Sequence, residues 1–381
     1  MKKANRIGRA LVAGLMVIMI AGCSSRGGAE DTSGEEVTLS TETSQEEAPE
    51  ETPVTEEGSP VPDGMYLSEM TGEPIDLALR DQRPIAVMVD NEITALDHFG
   101  TAEADVVYEM INSTLNDRVT RLMCLYKDWK EIPQIGSIRS TRPTNILLFP
   151  EWNAVLCHDG GPFYVNYYFH EWTPHYSGFS RVQNGKPYEY TEYVLKGDVE
   201  ARMNNTNVTE NYDEYRLSDE SHFTFIPWGL EIHLEERFPQ EAKKAEVIDL
   251  AGAFWHNKSL LEYNAETGTY DYYEYGRLHV DAEDDEPMSF KNLLIQQCDF
   301  YQFDDSGYLV YYTEKVEDPL PAYYITNGYM REIFWTKPDP MEHTRYFAYN
   351  DKGELEEISI NTGKTYIAIV PEDSWEDIEI R

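Results

Sequence analysis

Positive charge is what this sequence is short of. Its 31 Lys and Arg stand against 70 Asp and Glu, a formal net charge of −39. Such a chain is repelled by nucleic-acid phosphates and by anionic lipid surfaces, so nucleic acid is excluded as its partner. A local basic pocket inside the acidic whole is still compatible with that balance. Cysteine is scarce too, at four residues: Cys23, Cys124, Cys157 and Cys298. With no CxxC and no close Cys/His spacing, no structural zinc motif is present, and no metal or cofactor is expected. Cys124 and Cys157 sit in apolar runs, as small core residues do. The apolar run Leu11 to Ile20 is shorter than the ~20 residues a membrane span needs. There is no nucleophile elbow, no HExxH and no Ser/His/Asp signature, so no reaction class is named. The acidic run Asp281 to Glu286 lacks the spaced ligands and turn glycine of a calcium loop and reads as a solvated loop.

What is present begins with an address. Lys2, Lys3, Arg6 and Arg9 precede the short apolar run, and Ala21-Gly22 supplies the small residues of a cleavage site. The run Ile20-Ala21-Gly22-Cys23 resembles a bacterial lipobox. It implies a signal peptide over 1–22, lipidation of Cys23, and a protein held by that lipid on the extracellular face of the cell membrane. Residues 23–62 are rich in Glu, Thr, Ser, Pro and Gly and carry no aromatic. Such a segment cannot offset its ordering entropy, and it reads as an acidic disordered tether.

The remaining chain is too long for one ordinary core, so two domains are expected, 63–230 and 231–381. The fold class expected is α+β, a mixed α/β first domain followed by an antiparallel β-rich second. In the first, Ile85 to Val89 is a continuous apolar run that reads as a buried strand ending at Asp90-Asn91. Ala104 to Ile111 and Val119 to Tyr126 read as a hairpin with Glu109 and Arg121 as polar guests. Val194 to Asn204 reads as a short helix. The crowd of aromatics between Phe163 and Tyr190 reads as core and interface filling, with sugar stacking as the alternative. In the second half, short strands alternate with turn residues, most clearly at Asn327-Gly328, and predict a meander or small barrel.

The stretch Ile132 to Gly161 gathers the candidate site. Gly136 turns the chain into Arg139-Ser140-Thr141-Arg142-Pro143. Ser140 or Thr141 is expected to cap a helix over Thr144 to Phe149, with Pro143 in its first turn. Arg139 and Arg142 beside a helix start make an anion cradle. Strand Asn153 to Cys157 ends at His158 and Gly160-Gly161, where backbone can approach a ligand. The ligand-binding set expected is Asp90, Asn91, Arg139, Ser140, Arg142, His158 and Gly160. Each has a plainer reading: the arginines pair with surplus carboxylates, His158 is a satisfied near-core histidine, and the glycines only turn.

The runs RPIAVMVDN, TAEADVVYE, VTRLMCLY, IGSIRSTRPTN and AVLCHDGG resemble the successive motifs of the YerB-like lipoprotein family of Gram-positive bacteria. The resemblance implies a domain family of unassigned function, covers nearly all of the chain after the tether, and maps the family's polar motifs onto Asp90, Asn91, Arg139, Ser140, Arg142 and His158. The chain departs from the family pattern after Asp90-Asn91 and near Ser221-His222. The function expected is a non-catalytic ligand- or partner-binding lipoprotein of the cell envelope, associated with cell-wall synthesis or remodelling. Its partner would be an anionic wall ligand or a peptidoglycan-synthesis protein. The alternative is a hydrolase of wall polymers using Asp90 or Glu109 with His158.

Overall fold

The computed structural model describes residues 57–169, 173–212, 221–339, 342–350 and 352–381. The signal peptide, Cys23 and nearly all of the tether lie outside the described residues. The end of the expected tether is not free: the Ser59 amide donates to the Trp228 carbonyl at 2.6 Å.

Strand is the commonest regular structure among the described residues. One sheet holds twelve strands: β1 (Ile85–Asp90), β2 (Val106–Ile111), β3 (Thr120–Tyr126), β4 (Val155–His158), β5 (His175–Ser177), β6 (Lys243–Lys244), β7 (Asn292–Cys298), β8 (Val316–Thr326), β9 (Tyr329–Lys337), β10 (Arg345–Tyr349), β11 (Leu355–Glu357) and β12 (Thr365–Pro371). Their spatial order is β11-β10-β9-β8-β7-β12-β2-β3-β1-β4-β5, with β6 paired to β9. The strands β1, β2, β3 and β12 are buried along their whole lengths. Their apolar runs are continuous rather than alternating because both faces of this part of the sheet are covered.

The expected break near residue 230 does not divide this sheet. β12, close to the C-terminus, runs parallel to both β7 and β2, so it joins the late strands to the early ones. Glu56–Arg381 accordingly forms one compact unit. The later half is therefore antiparallel except at β12, and it is no closed meander. Helix is sparse: Pro143–Leu148 (α1) and Asp198–Met203 have six residues each, and Leu234–Arg237 has four. The fold is mostly β, and the α/β label expected for the first half overstates its helix. The helix expected over Val194 to Asn204 is a strand, Glu192–Leu195, followed by the helix at Asp198.

The hairpin expectations hold in register. β2 pairs with β3 from Val106↔Leu125 to Ile111↔Thr120, and β8 with β9 across Asn327-Gly328. Both turn residues have positive φ, 51° and 79°, the geometry that Asn-Gly supplies for a tight two-residue turn.

The two faces of β1–β3 carry different things, because successive side chains alternate. On one face, the α1 side chain of Asn145 reaches Met110, and Trp152 donates to the Tyr108 hydroxyl at 3.2 Å. A second, six-stranded sheet covers the other face. It is built from Val247–Asp249, Leu260–Asn264, Thr269–Glu274, Arg277–Leu278, Ser289–Phe290 and Glu379–Ile380.

Candidate functional site: an arginine pocket at the strand ends

The α1 face carries a cavity of about 510 Å³ where β1 and β2 end and β3 begins. Arg121, Arg139, Arg142, Asp90, Tyr190 and Tyr308 line it. Arg121 is one residue into β3 and faces this way because Thr120 and Leu122 face the other. Gly136 has φ +136°, and a Cβ there would sit 2.8 Å from the Ile138 amide, so only glycine turns the chain toward the arginines this tightly. Arg142 takes the N-cap position of α1 that Ser140 or Thr141 was expected to fill. Its amide donates to Asn145 Oδ1 at 3.0 Å. A six-residue helix has little macrodipole, so the donors that matter are the guanidiniums themselves.

Asp90 is the buried counter-charge. Arg139 Nε lies 2.8 Å from its Oδ2, an ion pair without hydrogen-bond alignment, and Arg121 Nη2 lies 3.9 Å from its Oδ1. Arg121 and Arg142 converge on one acceptor, the Ser140 carbonyl, at 2.7 and 3.4 Å. Arg142 also donates to the Thr141 carbonyl at 2.8 Å and lies 3.9 Å over the Tyr308 ring. The Nε atoms of Arg121 and Arg142 are buried without a partner. Burial, and then the neighbouring Arg121 charge, push Arg142 down to about 9. Glu92 and exposed Asp305 stand at the rim. The pocket is thus a crowded cationic floor with one buried carboxylate.

Of the expected site residues, Asp90, Arg139 and Arg142 line this pocket, and Ser140 orients it through its carbonyl. His158, Gly160 and Asn91 lie elsewhere. Ser140 Oγ donates to the Asp159 carbonyl at 2.7 Å, and the Asp159 amide to the Arg139 carbonyl at 2.9 Å. The Thr141 amide donates to the Gly160 carbonyl at 3.0 Å. The His158–Gly160 segment therefore supports the arginine loop from behind. His158 Nδ1 lies 2.7 Å from the Gly160 carbonyl and Nε2 3.2 Å from His175 Nδ1, beside the Phe169 ring. Burial pushes His158 down to about 4, so it is neutral near pH 7.

Asn91 points to the opposite face. It donates to Thr120 Oγ1 at 2.9 Å, close to Glu109 and the Tyr272 hydroxyl. Glu109 is buried there and accepts from Thr120 Oγ1 (2.6 Å), Ser259 Oγ (2.7 Å), Tyr272 (3.0 Å) and Tyr366 (2.5 Å). Burial raises its pKa, and these donors oppose the rise. Asp90 and Glu109 are therefore separated by the sheet, and neither is bonded to His158, so the acid, base and imidazole grouping expected of a hydrolase is not assembled.

The aromatic crowd is divided. Tyr164 and Tyr176 are buried, but Phe163, Tyr167 and Tyr188 are about three-quarters exposed, at 76, 78 and 75%. Asp281 departs from the expected solvated loop: it is buried and accepts the Thr101 amide at 2.6 Å, while residues 282–286 are exposed. Sequence reasoning overlooked Arg121, Tyr190 and Tyr308 as pocket residues. Arg121 carried a signal, a charge within an otherwise apolar strand, but the tyrosines carried none.

The fold belongs to a class seen before, a mostly β protein of a two-part domain family. Residues 70–209 match the family described as "Protein of unknown function (DUF3048) N-terminal domain", and residues 250–367 match its C-terminal domain. The chain belongs to this family, which is the YerB-like family of unassigned function. A curated relative, "Putative lipoprotein YerB" of Bacillus subtilis (strain 168), is 20% identical over 251 residues, 62% of this chain and 69% of that one. The crystal structure of the YerB protein from Bacillus subtilis superposes with a TM-score of 0.65 at 16% identity, covering 83% of this chain and 99% of that one.

Proposed function

We propose that this protein is a lipid-anchored component of the cell envelope that binds an anionic group in the arginine pocket without transforming it. The observation that carries the reading is the set of three guanidiniums, Arg121, Arg139 and Arg142, around one cavity with a single buried carboxylate between them. Two of the three keep an unpartnered Nε, and crowding of like charge there is relieved by a bound anion. The whole molecule repels anions at −39, yet that field is screened beyond about 10 Å at 0.1 M salt. Contact with the guanidiniums decides the outcome inside the pocket. The lipobox at Cys23 and the likeness to a protein named as a lipoprotein support the anchored placement. An anionic wall polymer, or the acidic face of a wall-synthesis protein, fits that placement.

The test is isothermal titration of the protein with inorganic phosphate and with soluble cell-wall fragments, repeated with Arg142→Ala and Arg121→Met. Binding by the parent and at least tenfold weaker binding by both variants is expected. Equal affinity in all three proteins would remove the pocket from the account. Release of new sugar or peptide products from the fragments would replace binding by turnover.

A further inference from the structure

Below Asp90, three side chains from distant parts of the chain meet. His98 comes from the loop after β1. Glu274 ends one strand of the six-stranded sheet, and His279 follows its next strand. His98 and Glu274 have no exposed surface and His279 has 3%. Each can offer one ligand atom, and the three atoms lie within 4.8 Å of one another.

The hydrogen bonding around them leaves a gap. His98 Nε2 lies 2.6 Å from the Asp90 carbonyl, which only accepts, so the proton sits on Nε2 and Nδ1 presents a lone pair. That Nδ1 has no partner, and neither has Glu274 Oε2. His279 Nδ1 contacts the other carboxylate oxygen of Glu274 at 2.7 Å, and its Nε2 contacts Thr101 Oγ1 at 2.9 Å. Two buried acceptors with no donor are therefore grouped with a third nitrogen that can become an acceptor. Buried polar atoms are rarely left this way unless something supplies positive charge.

We infer that His98, Glu274 and His279 form a divalent metal site, with zinc the closest match to two imidazoles and one carboxylate. The ligands are His98 Nδ1, the Glu274 carboxylate and His279 Nδ1. Binding moves the His279 proton from Nδ1 to Nε2. Thr101 Oγ1 then accepts from Nε2, and its own hydroxyl turns to Asp281 Oδ2, 3.4 Å away. Both imidazoles would so be fixed from behind, His98 by the Asp90 carbonyl and His279 by Thr101, as metal-binding histidines usually are. The site would tie the early loop to the six-stranded sheet. It would also hold the backbone of Asp90, whose side chain pairs with Arg139 in the arginine pocket.

The experiment is metal analysis by mass spectrometry of the intact protein purified without chelator. Zinc chloride is then titrated in competition with a chromophoric chelator. One zinc per chain is expected, lost in His98→Ala and in Glu274→Gln and kept in His158→Ala. Thr101→Val, which leaves all three ligands in place, is expected to weaken zinc by about 10–100-fold. If the replacements disturb folding, zinc X-ray absorption of the parent decides: two imidazoles with oxygen support the site, and sulfur ligation overturns it. Folded parent protein taking up no more zinc than His98→Ala overturns it as well. In that case a shared proton or a water fills the gap.

Discussion

Lys337 Nζ and Glu151 Oε1 form an ion pair at 2.7 Å with both side chains fully buried. The first residue ends β9 and the second lies in the 3-10 turn after α1, 186 residues apart. Glu151 also accepts from the Thr344 amide and hydroxyl, at 2.8 and 3.1 Å, and lies 2.7 Å from His222 Nε2. This is a cluster that only the whole folded unit can assemble, since it draws on both segments that match the family's two domains.

Lys337→Met should be among the most destabilising single changes in the chain. It strands a buried carboxylate, and breaking such a pair costs about 3–5 kcal/mol. Adding Glu151→Gln removes the stranded charge, so the double variant should be more stable than Lys337→Met alone. Urea unfolding of the parent, both single variants and the double variant checks this. A double variant as unstable as the sum of its parts would mean that the two groups act independently.

Arg142 should behave in the opposite way. Its position, pushed down to about 9 by burial and by Arg121, means that its charge is held at a cost in the folded chain. For a base depressed in this way, stability is lowest below 9 and rises as pH climbs through it. Arg142→Met should therefore change stability by about 1 kcal/mol or less in anion-free buffer near pH 7, the lost contacts offset by relief of crowding. The rise in Tm that phosphate gives the parent should vanish in the variant. Thermal melts with and without phosphate read both effects, and a large loss of stability without phosphate would make Arg142 a structural residue.

How far the sequence carried depends on the distance between partners. The β2–β3 and β8–β9 hairpins were legible because each joins two apolar runs close in sequence, across a short polar loop in the first and an Asn-Gly turn in the second. The second half read as a meander or small barrel, and nothing local says that β12 lies between β2 and β7, parallel to both. The arginine loop was legible for the same reason, since Arg139 to Arg142 are neighbours. His158 and Asn91 were assigned to the pocket from nearness to Asp90 and Gly160. The alternation of side chains across a sheet sends Asn91 to the other face, and His158 turns back to bond its own loop. Arg121 was visible as a charge among apolar neighbours, but its orientation required the register Asp90↔Arg121.

The described thiols should be inert in the native protein. Cys124, Cys157 and Cys298 are free and buried, and burial pushes each thiol upward, Cys124 to about 12. The thiolate is the reactive form, so iodoacetamide should modify none of the three before unfolding and all of them after it. Mass spectrometry of labelled peptides reads this directly. Native labelling at Cys157 would mean that β4 opens far more readily than its burial implies.

The two buried glutamates should tilt stability against pH in opposite directions. Burial alone would raise Glu151, but Lys337 and His222 outweigh it and hold the group at about 2. Its folded value lies below its ordinary 4.5, so its contribution is complete above that and is lost as pH falls toward 2. Glu109 is raised by burial, which its hydrogen-bond donors only partly offset. Its contribution is complete below the ordinary value and declines as pH rises through the folded one. Glu151→Gln should therefore cost most above pH 5 and progressively less in acid. Glu109→Gln, which turns an amide nitrogen toward hydroxyls that now donate, should cost about 1–3 kcal/mol in acid and less as pH rises. Unfolding free energies of both variants and the parent, compared across this range, should give difference curves of opposite slope. Parallel slopes would mean that one of the two carboxyl groups is not in the charge state its surroundings favour, and Glu109, whose donors are neutral hydroxyls and the Asn91 amide, is the one without a charged donor to fix it.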